Sequence, residues 1–267
     1  MRETGRYYFD IALSSISDGK RRDVCQPADC RLLLEIMKID VSIIVPAYNE
    51  EDNIGAAIES VLKAVKETTD DYEIICVDDG STDNTGNILK GLARRNKKIK
   101  IVRNEHNMGG GAAFKRGLAV ASKTYISGFP GDNDMSWLSL RELLGAADRA
   151  DLISSYMINP GKRSLWRRII SRIFVRLLNI IFNLNLKYYN GFFICKTKLL
   201  KKMPLYSGGV TLLAEIKIRL IKNGASFTEI PFEHTGRKSG ASKAFTFKNI
   251  WQTFYSLVLV FKDVKDV

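Results

Sequence analysis

Phe129-Pro130-Gly131-Asp132-Asn133-Asp134 sets two carboxylates two residues apart, directly after a strand-like run from Thr124 to Phe129. In extended backbone, residues i and i+2 point to the same side, so Asp132 and Asp134 are expected to hold one hard cation, Mg2+ or Mn2+, between them. Such an ion needs an anionic ligand to complete its shell, and a nucleotide diphosphate is the usual one. A solvated acidic turn has the same spacing, so the pair gains meaning from the motifs around it.

The elements that must position it repeat one unit: a buried strand, a polar turn-forming mouth, then a helix. Val41 to Val45 is β-branched and uncharged, and Pro46-Ala47-Tyr48-Asn49-Glu50 ends it before a helical pattern at Ile54, Ala57, Ile58, Val61, Leu62 and Val65. Tyr72 to Val77 closes in Asp78-Asp79-Gly80-Ser81-Thr82-Asp83 before a helix through Ile88, Leu89 and Leu92. Ile99 to Val102 leads into Asn107-Met108-Gly109-Gly110-Gly111 and a helix from Phe114 to Ala121. Strands alternating with helices predict an α/β fold, a mostly parallel sheet covered on both faces. Ligands of such sheets bind beyond the carboxyl ends of the strands, where the acidic motifs converge. The glycines are expected to let backbone approach a bound group and to expose helix amides to it.

Each motif has a plainer reading. Asp-Gly-Ser-Thr-Asp caps helices, and a triple glycine can be a simple turn. Capping needs one acid, however. Three strand ends carrying Glu50, Asp78 with Asp79, and Asp132 with Asp134 hold more charge than stability alone explains, and a cation with a polar ligand accounts for the set.

Together the strings VSIIVPAYNEEDNI, VDDGSTDNT, NMGGGAAFKRG, GDND and GRKSGASK resemble the family 2 nucleotide-sugar glycosyltransferases, most closely the dolichyl- and polyprenyl-phosphate mannosyltransferase-like branch, over roughly residues 38–249. The resemblance implies a GT-A (Rossmann-like) fold in one catalytic domain. It implies that Pro46, Tyr48, Glu50, Val77, Asp78 and Asp79 hold the nucleotide, with Gly110 and Asn133 at the nucleotide-sugar. Asp132 and Asp134 would bind the metal and sugar diphosphate. Arg237, Ser242 and Lys243 would contact phosphate from a loop closing over the site. The branch usually continues its metal motif with Gln-His-Pro, where this chain has Met135-Ser136-Trp137, so its residues for a third metal contact are replaced. Tyr189-Asn190-Gly191-Phe192-Phe193 stands where the branch often has Thr-Ser-Gly-Phe-Arg, which weakens transfer of the mannosyl acceptor site.

Charge points to an anionic partner. The chain carries 41 Lys and Arg against 29 Asp and Glu, and the excess is concentrated: residues 152–214 contain no acid. Within that block, Leu165 to Leu186 has helical periodicity, with Arg168, Arg172 and Arg176 spaced by four beside an apolar face. That pattern suits a helix on an anionic membrane surface, with Arg168 and Arg172 near an acceptor phosphate. It equally suits a helix that packs its apolar side on the domain and wets its arginines. No nucleic-acid-binding motif accompanies the basic block, so nucleic acid is not the expected partner.

Three segments are expected. Residues 1–36, with balanced charge and little periodicity, form an extension that is dispensable if Met37 is a start; 37–245 form the catalytic domain; 246–267 form an amphipathic helix. The apolar run of that last segment is too short to cross a bilayer, so it either lies at the interface with Trp251 and Tyr255 near headgroups or docks on its own domain. Cys25, Cys30, Cys76 and Cys195 lack zinc-like pairing and read as reduced thiols. His106 and His234 are too few and too scattered for a histidine metal site.

The expected reaction is inverting transfer of one sugar from a nucleotide donor to a polyprenyl phosphate, catalysed at the cytoplasmic membrane face by a peripheral protein. Arg237 and Lys243 would bring the two anions together. If the acceptor is instead a hydroxyl of a glycan, a base is required, and Glu215, the first acid after the basic block, is the candidate. A sugar-nucleotide-binding scaffold is the non-enzyme alternative; the presence of both Asp132 and Asp134 speaks against it.

Overall fold

The computed structural model describes residues 39–158, 165–209, 211–233 and 247–265. The first half is the expected alternation: β1 (Val41–Ala47), α1 (Ile54–Lys66), β2 (Tyr72–Asp78), α2 (Thr85–Arg95), β3 (Ile99–Arg103), α3 (Gly110–Val120), β4 (Tyr125–Gly128) and α4 (Trp137–Leu144). The second half runs β5 (Leu152–Met157), α5 (Leu165–Phe182), β6 (Phe193–Lys196), α6 (Thr197–Lys201), α7 (Leu212–Lys222), β7 (Phe227–Phe232) and α8 (Phe247–Lys265). One seven-stranded sheet has the order β3-β2-β1-β4-β6-β5-β7. β1 pairs in parallel with both β2 and β4, while β6 is inserted antiparallel between β4 and β5, so the sheet is mixed though mostly parallel.

Both faces of the sheet are covered, as the uncharged strands require. Ile44, Ile75, Val77, Ile126 and Phe193 share a core with Ala113, Phe114 and Leu118 of α3 and with Leu212, Ile216 and Leu220 of α7. The pleat turns their neighbours Ile43, Val45, Ile74 and Cys76 to the other face, and these are buried too. Gly117 permits the close approach of α3, because a Cβ there would lie 2.6 Å from Ile44 Cγ2.

A second core joins Leu178 and Phe182 of α5, Tyr189, Ala214 and Ile218 of α7, and Val260 of α8. The carboxyl-terminal helix thus docks on its own domain through its second half; the side chain of Trp251 lies outside the described residues. α5 ends at Phe182, short of the expected Leu186, because Asn183 turns the chain at φ 47° and Leu184 N donates back to Asn179 O. Asn179 then holds the exit: its Nδ2 donates to Leu186 O, and its Oδ1 accepts from Leu186 N and the Tyr189 hydroxyl.

α5 also departs from the single apolar face that its sequence suggested. Besides the buried Leu178 and Phe182 it carries a second apolar stripe, Trp166, Ile170, Ile173, Leu177 and Ile180, that is exposed, with Trp166 at 75% and Ile180 at 79%. Arg172 and Arg176, also exposed, fall along one edge of that stripe at 100° per residue. Among the described residues no helix is long and apolar enough to cross a membrane.

Candidate active site

Adjacent parallel strands β2, β1 and β4 bring three polar mouths to one edge of the sheet. Pro46 pairs in register with Val77 and Ala47 with Asp78, and Asp79 N donates to Ala47 O at 2.8 Å. The loops after β1 and β2 are stitched to each other. Asn49, at φ 54°, accepts from Thr82 N at its Oδ1, while its own N donates to Ser81 Oγ; Glu50 N donates to Thr85 Oγ1, and Glu51 N to Asp83 Oδ2. Glu50 Oε2 accepts from Asn53 Nδ2 at 2.8 Å at the start of α1, and half-buried Tyr48 stands on the same loop.

The paired acids of β2 prove to be builders of this wall. Asp78 is buried, accepts from Ser81 N at 2.9 Å and faces Arg103 Nε at 3.5 Å. Asp79 accepts from Asn104 Nδ2 at 2.7 Å and Met108 N at 3.0 Å on one oxygen and from Gly109 N at 2.8 Å on the other. It thereby shapes the turn into α3. A carboxylate holding three N–H groups is organised, with its charge spread into the backbone it supports. Any nucleotide contact from Asp78 or Asp79 is therefore made by a side chain already committed to the fold.

The acidic pair stands on a turn after the strand, not on the extended backbone that was expected. β4 ends at Gly128, and residues 130–133 form a turn closed by Asn133 N donating to Pro130 O, in which Asn133 takes φ 53°; just after it, Asp134 N approaches Asp132 Oδ1 at 3.3 Å. Both acids thus lie beyond the strand pleat with the left-handed Asn133 between them, and asparagine is among the residues that tolerate that conformation. Gly131 lays this turn on the end of β1, since a Cβ there would lie 2.5 Å from Pro46 O. Asp132 is 7% exposed and Asp134 half-buried. Two hard oxygen donors on one turn fit a divalent cation such as Mg2+ or Mn2+. Among the described residues no cluster of three His, Cys, Asp or Glu surrounds such a site, and Met135 of the replaced motif is buried, so further ligands would have to come from donor oxygens and water.

Part of the triple glycine serves close packing against protein. At Gly111 a Cβ would lie 2.7 Å from the Gly208 carbonyl carbon, and Ala112 N donates to Gly208 O at 3.2 Å. The amides of Gly109 and Ala112 are thus taken by Asp79 and Gly208. Gly110 faces open space, with nothing within 4 Å of a Cβ.

Loop 205–209, which does this packing, was not marked by any motif in the sequence. It is fixed by Lys115 Nζ donating to Leu205 O at 3.1 Å and by Glu215, whose two oxygens accept from Tyr206 N at 2.9 Å and Ser207 N at 2.7 Å. Glu215 is fully buried and also accepts from Arg219 Nε at 3.0 Å. That placement suits a structural clamp and does not suit the base expected for a hydroxyl acceptor, because both oxygens are occupied by donors. The i, i+4 spacing of Glu215 and Arg219 was the available signal. Arg168 is half-buried on α5, Arg172 is exposed, and Arg237, Ser242 and Lys243 lie outside the described residues.

Comparison with known proteins identifies the family and the fold. The sequence model described as Glycosyl transferase family 2 matches residues 42–209, from β1 through loop 205–209. A dodecaprenyl-phosphate galacturonate synthase of Rhizobium johnstonii is 27% identical over 79% of this chain and 64% of its own length. A dolichyl-phosphate beta-glucosyltransferase of Trichomonas vaginalis is 29% identical over 51% of this chain and 45% of its own. The chain therefore spans less than two thirds of either relative. Glucosyl-3-phosphoglycerate synthase of Mycobacterium tuberculosis, solved with Mg2+ and uridine diphosphate, superposes with a TM-score of 0.66 at 18% identity, covering 91% of this chain and 86% of that one. That likeness is one of fold, the GT-A arrangement. With its stitched strand ends, its acidic turn and a family match over 42–209, the chain belongs to glycosyl transferase family 2.

Proposed function

We propose that this chain is an inverting glycosyltransferase that moves one sugar from a nucleotide-sugar donor to a polyprenyl phosphate at the cytoplasmic face of the membrane. The observation that carries the reading is the Asp132–Asp134 turn, pressed by Gly131 onto the end of β1 and flanked by the wall that Asp79 organises. Asp132 and Asp134 would hold Mg2+ or Mn2+, which when bound supplies positive charge against the departing nucleoside diphosphate. Pro46, Tyr48, Glu50 and Val77 would line the nucleotide, and Gly110 is open to it.

An anionic phosphate oxygen of the acceptor attacks the anomeric carbon from the side opposite the diphosphate. The new carbon–oxygen bond forms as the old one breaks, and the diphosphate departs with the electron pair. Such a nucleophile needs no proton removed, which agrees with Glu215 being engaged by Tyr206 N, Ser207 N and Arg219. Arg237, Ser242 and Lys243 would neutralise the two approaching anions. The names of the Rhizobium and Trichomonas relatives support a lipid phosphate acceptor.

The exposed stripe of α5 supports a peripheral membrane position. An apolar row edged by Arg172 and Arg176 matches what an anionic lipid surface offers. Exposed Tyr255, Val258 and Phe261 of α8 add to it, and the rings of Phe182 and Phe261, 6.0 Å apart, join the two helices. We retain the boundaries 1–36, 37–245 and 246–267, with 1–36 dispensable. The test is titration of the protein with uridine and guanosine diphosphates with and without Mn2+: metal-dependent binding supports the donor site, and metal-independent binding or none removes it.

A further inference from the structure

α7 carries a charge relay that reaches from the carboxyl-terminal helix to the start of α3. Arg219, 3% exposed, donates from Nε to Glu215 and from Nη2 to Asp263 Oδ2 of α8 at 3.1 Å. Its guanidinium lies 4.9 Å from the ring centre of Tyr206. Glu215 in turn holds the amides of Tyr206 and Ser207, and the next residue, Gly208, caps Ala112 N and abuts Gly111. Four successive contacts, Asp263 to Arg219, Arg219 to Glu215, Glu215 to the amides of Tyr206 and Ser207, and Gly208 to Ala112, thus join α8 to the turn shaped by Asp79. Glu215, Arg219 and Asp263 all lie beyond the part of the chain that the family model matches.

We propose that Arg219 is a positioning residue through which the seating of α8 sets loop 205–209 against the amino end of α3, and so sets nucleotide affinity. The last clause rests on the donor-site reading above; the coupling does not. A buried arginine with two carboxylate partners has one geometry that satisfies both, so a shift of α8 is passed to Glu215 without slack. Any displacement of α8, by a lipid surface or otherwise, would be felt at the glycine turn.

Arg219→Gln would strip the counter-charge from a fully buried carboxylate and could unfold the domain, so the informative change is at the far end. Asp263 is partly exposed, and Asp263→Asn leaves Arg219 and Glu215 paired. In the full chain, amide exchange of Tyr206, Ser207 and Ala112 is expected to rise about tenfold in Asp263→Asn while β1 and β2 stay unchanged. Affinity for uridine or guanosine diphosphate with Mn2+, whichever the wild type binds, should fall about fivefold, and Asp263→Glu should restore both. Unchanged protection of those amides overturns the coupling, and altered protection with unmoved affinity overturns the positioning role. If exchange responds but the wild type binds neither nucleotide, the coupling stands and the donor reading falls.

Discussion

Gly131 sits so close to Pro46 that a Cβ would lie 2.5 Å from the proline carbonyl oxygen, and this contact fixes where Asp132 and Asp134 stand relative to β1. Backbone cannot yield as a flexible side chain would. Gly131→Ala is therefore expected to destabilise by about 1–3 kcal/mol and to weaken Mn2+-dependent nucleotide binding at least tenfold, by displacing the acidic turn. Gly110→Ala, with open space at its Cβ, should leave denaturant stability within about 1 kcal/mol of wild type. Urea titration and nucleotide titration of the two variants check this.

The acidic pair should matter for turnover and not for folding. Asp132→Ala or Asp134→Ala is expected to abolish metal-dependent nucleotide binding while the melting temperature stays the same or rises, since neighbouring carboxylates repel without a cation. Calorimetry beside a turnover assay reads both. Full activity in either variant would remove the metal assignment.

How much of this was legible in sequence depends on how local its cause is. β1 to β4 and the helices between them follow from apolar runs and turn residues, and their parallel pairing places Glu50, Asp78 and Asp132 at one edge as expected. The geometry of the acidic pair was not legible, because it depends on Asn133 adopting φ 53° and on Gly131 meeting Pro46, a contact between segments 85 residues apart (131 − 46). The roles of Asp79 and Glu215 were hidden for the same reason: their partners are backbone amides of other loops, which leave no residue-type signature. The second stripe of α5 could not be told from a core face, since periodicity shows that a helix is amphipathic but not which side finds a partner.

Lys217 offers a test of the fold itself. It is fully buried on α7, with Nζ 3.3 Å from Tyr188 O, and burial pushes its pKa down to about 7 although Glu229 pulls the other way. A lysine unfolded near 10.5 and folded near 7 binds more protons in the unfolded chain between those values, so its contribution makes stability rise with pH from about 7 to about 10.5. Lys217→Met should raise the melting temperature at pH 7 by several degrees and flatten that slope. Thermal unfolding from pH 6 to 10 measures it, and a variant no more stable than wild type with an unchanged slope would contradict it.

Membrane attachment should have separable parts. Arg172→Gln with Arg176→Gln is expected to weaken co-sedimentation with phosphatidylserine vesicles by about 1 kcal/mol per residue, an effect that vanishes at high salt. Trp166→Ser with Ile173→Ser should weaken it at every salt concentration. Wild-type protein that ignores such vesicles would remove the membrane role of α5.

The most direct test of the central claim is the acceptor. The full chain is incubated with a panel of nucleotide sugars, Mn2+ and vesicles carrying undecaprenyl phosphate, and the lipid fraction is weighed by mass spectrometry. One sugar added per lipid phosphate, absent in Asp134→Ala, is the predicted result. A panel that leaves the lipid unmodified while a soluble glycan hydroxyl is glycosylated, with that activity lost in Glu215→Gln that still folds, would contradict it.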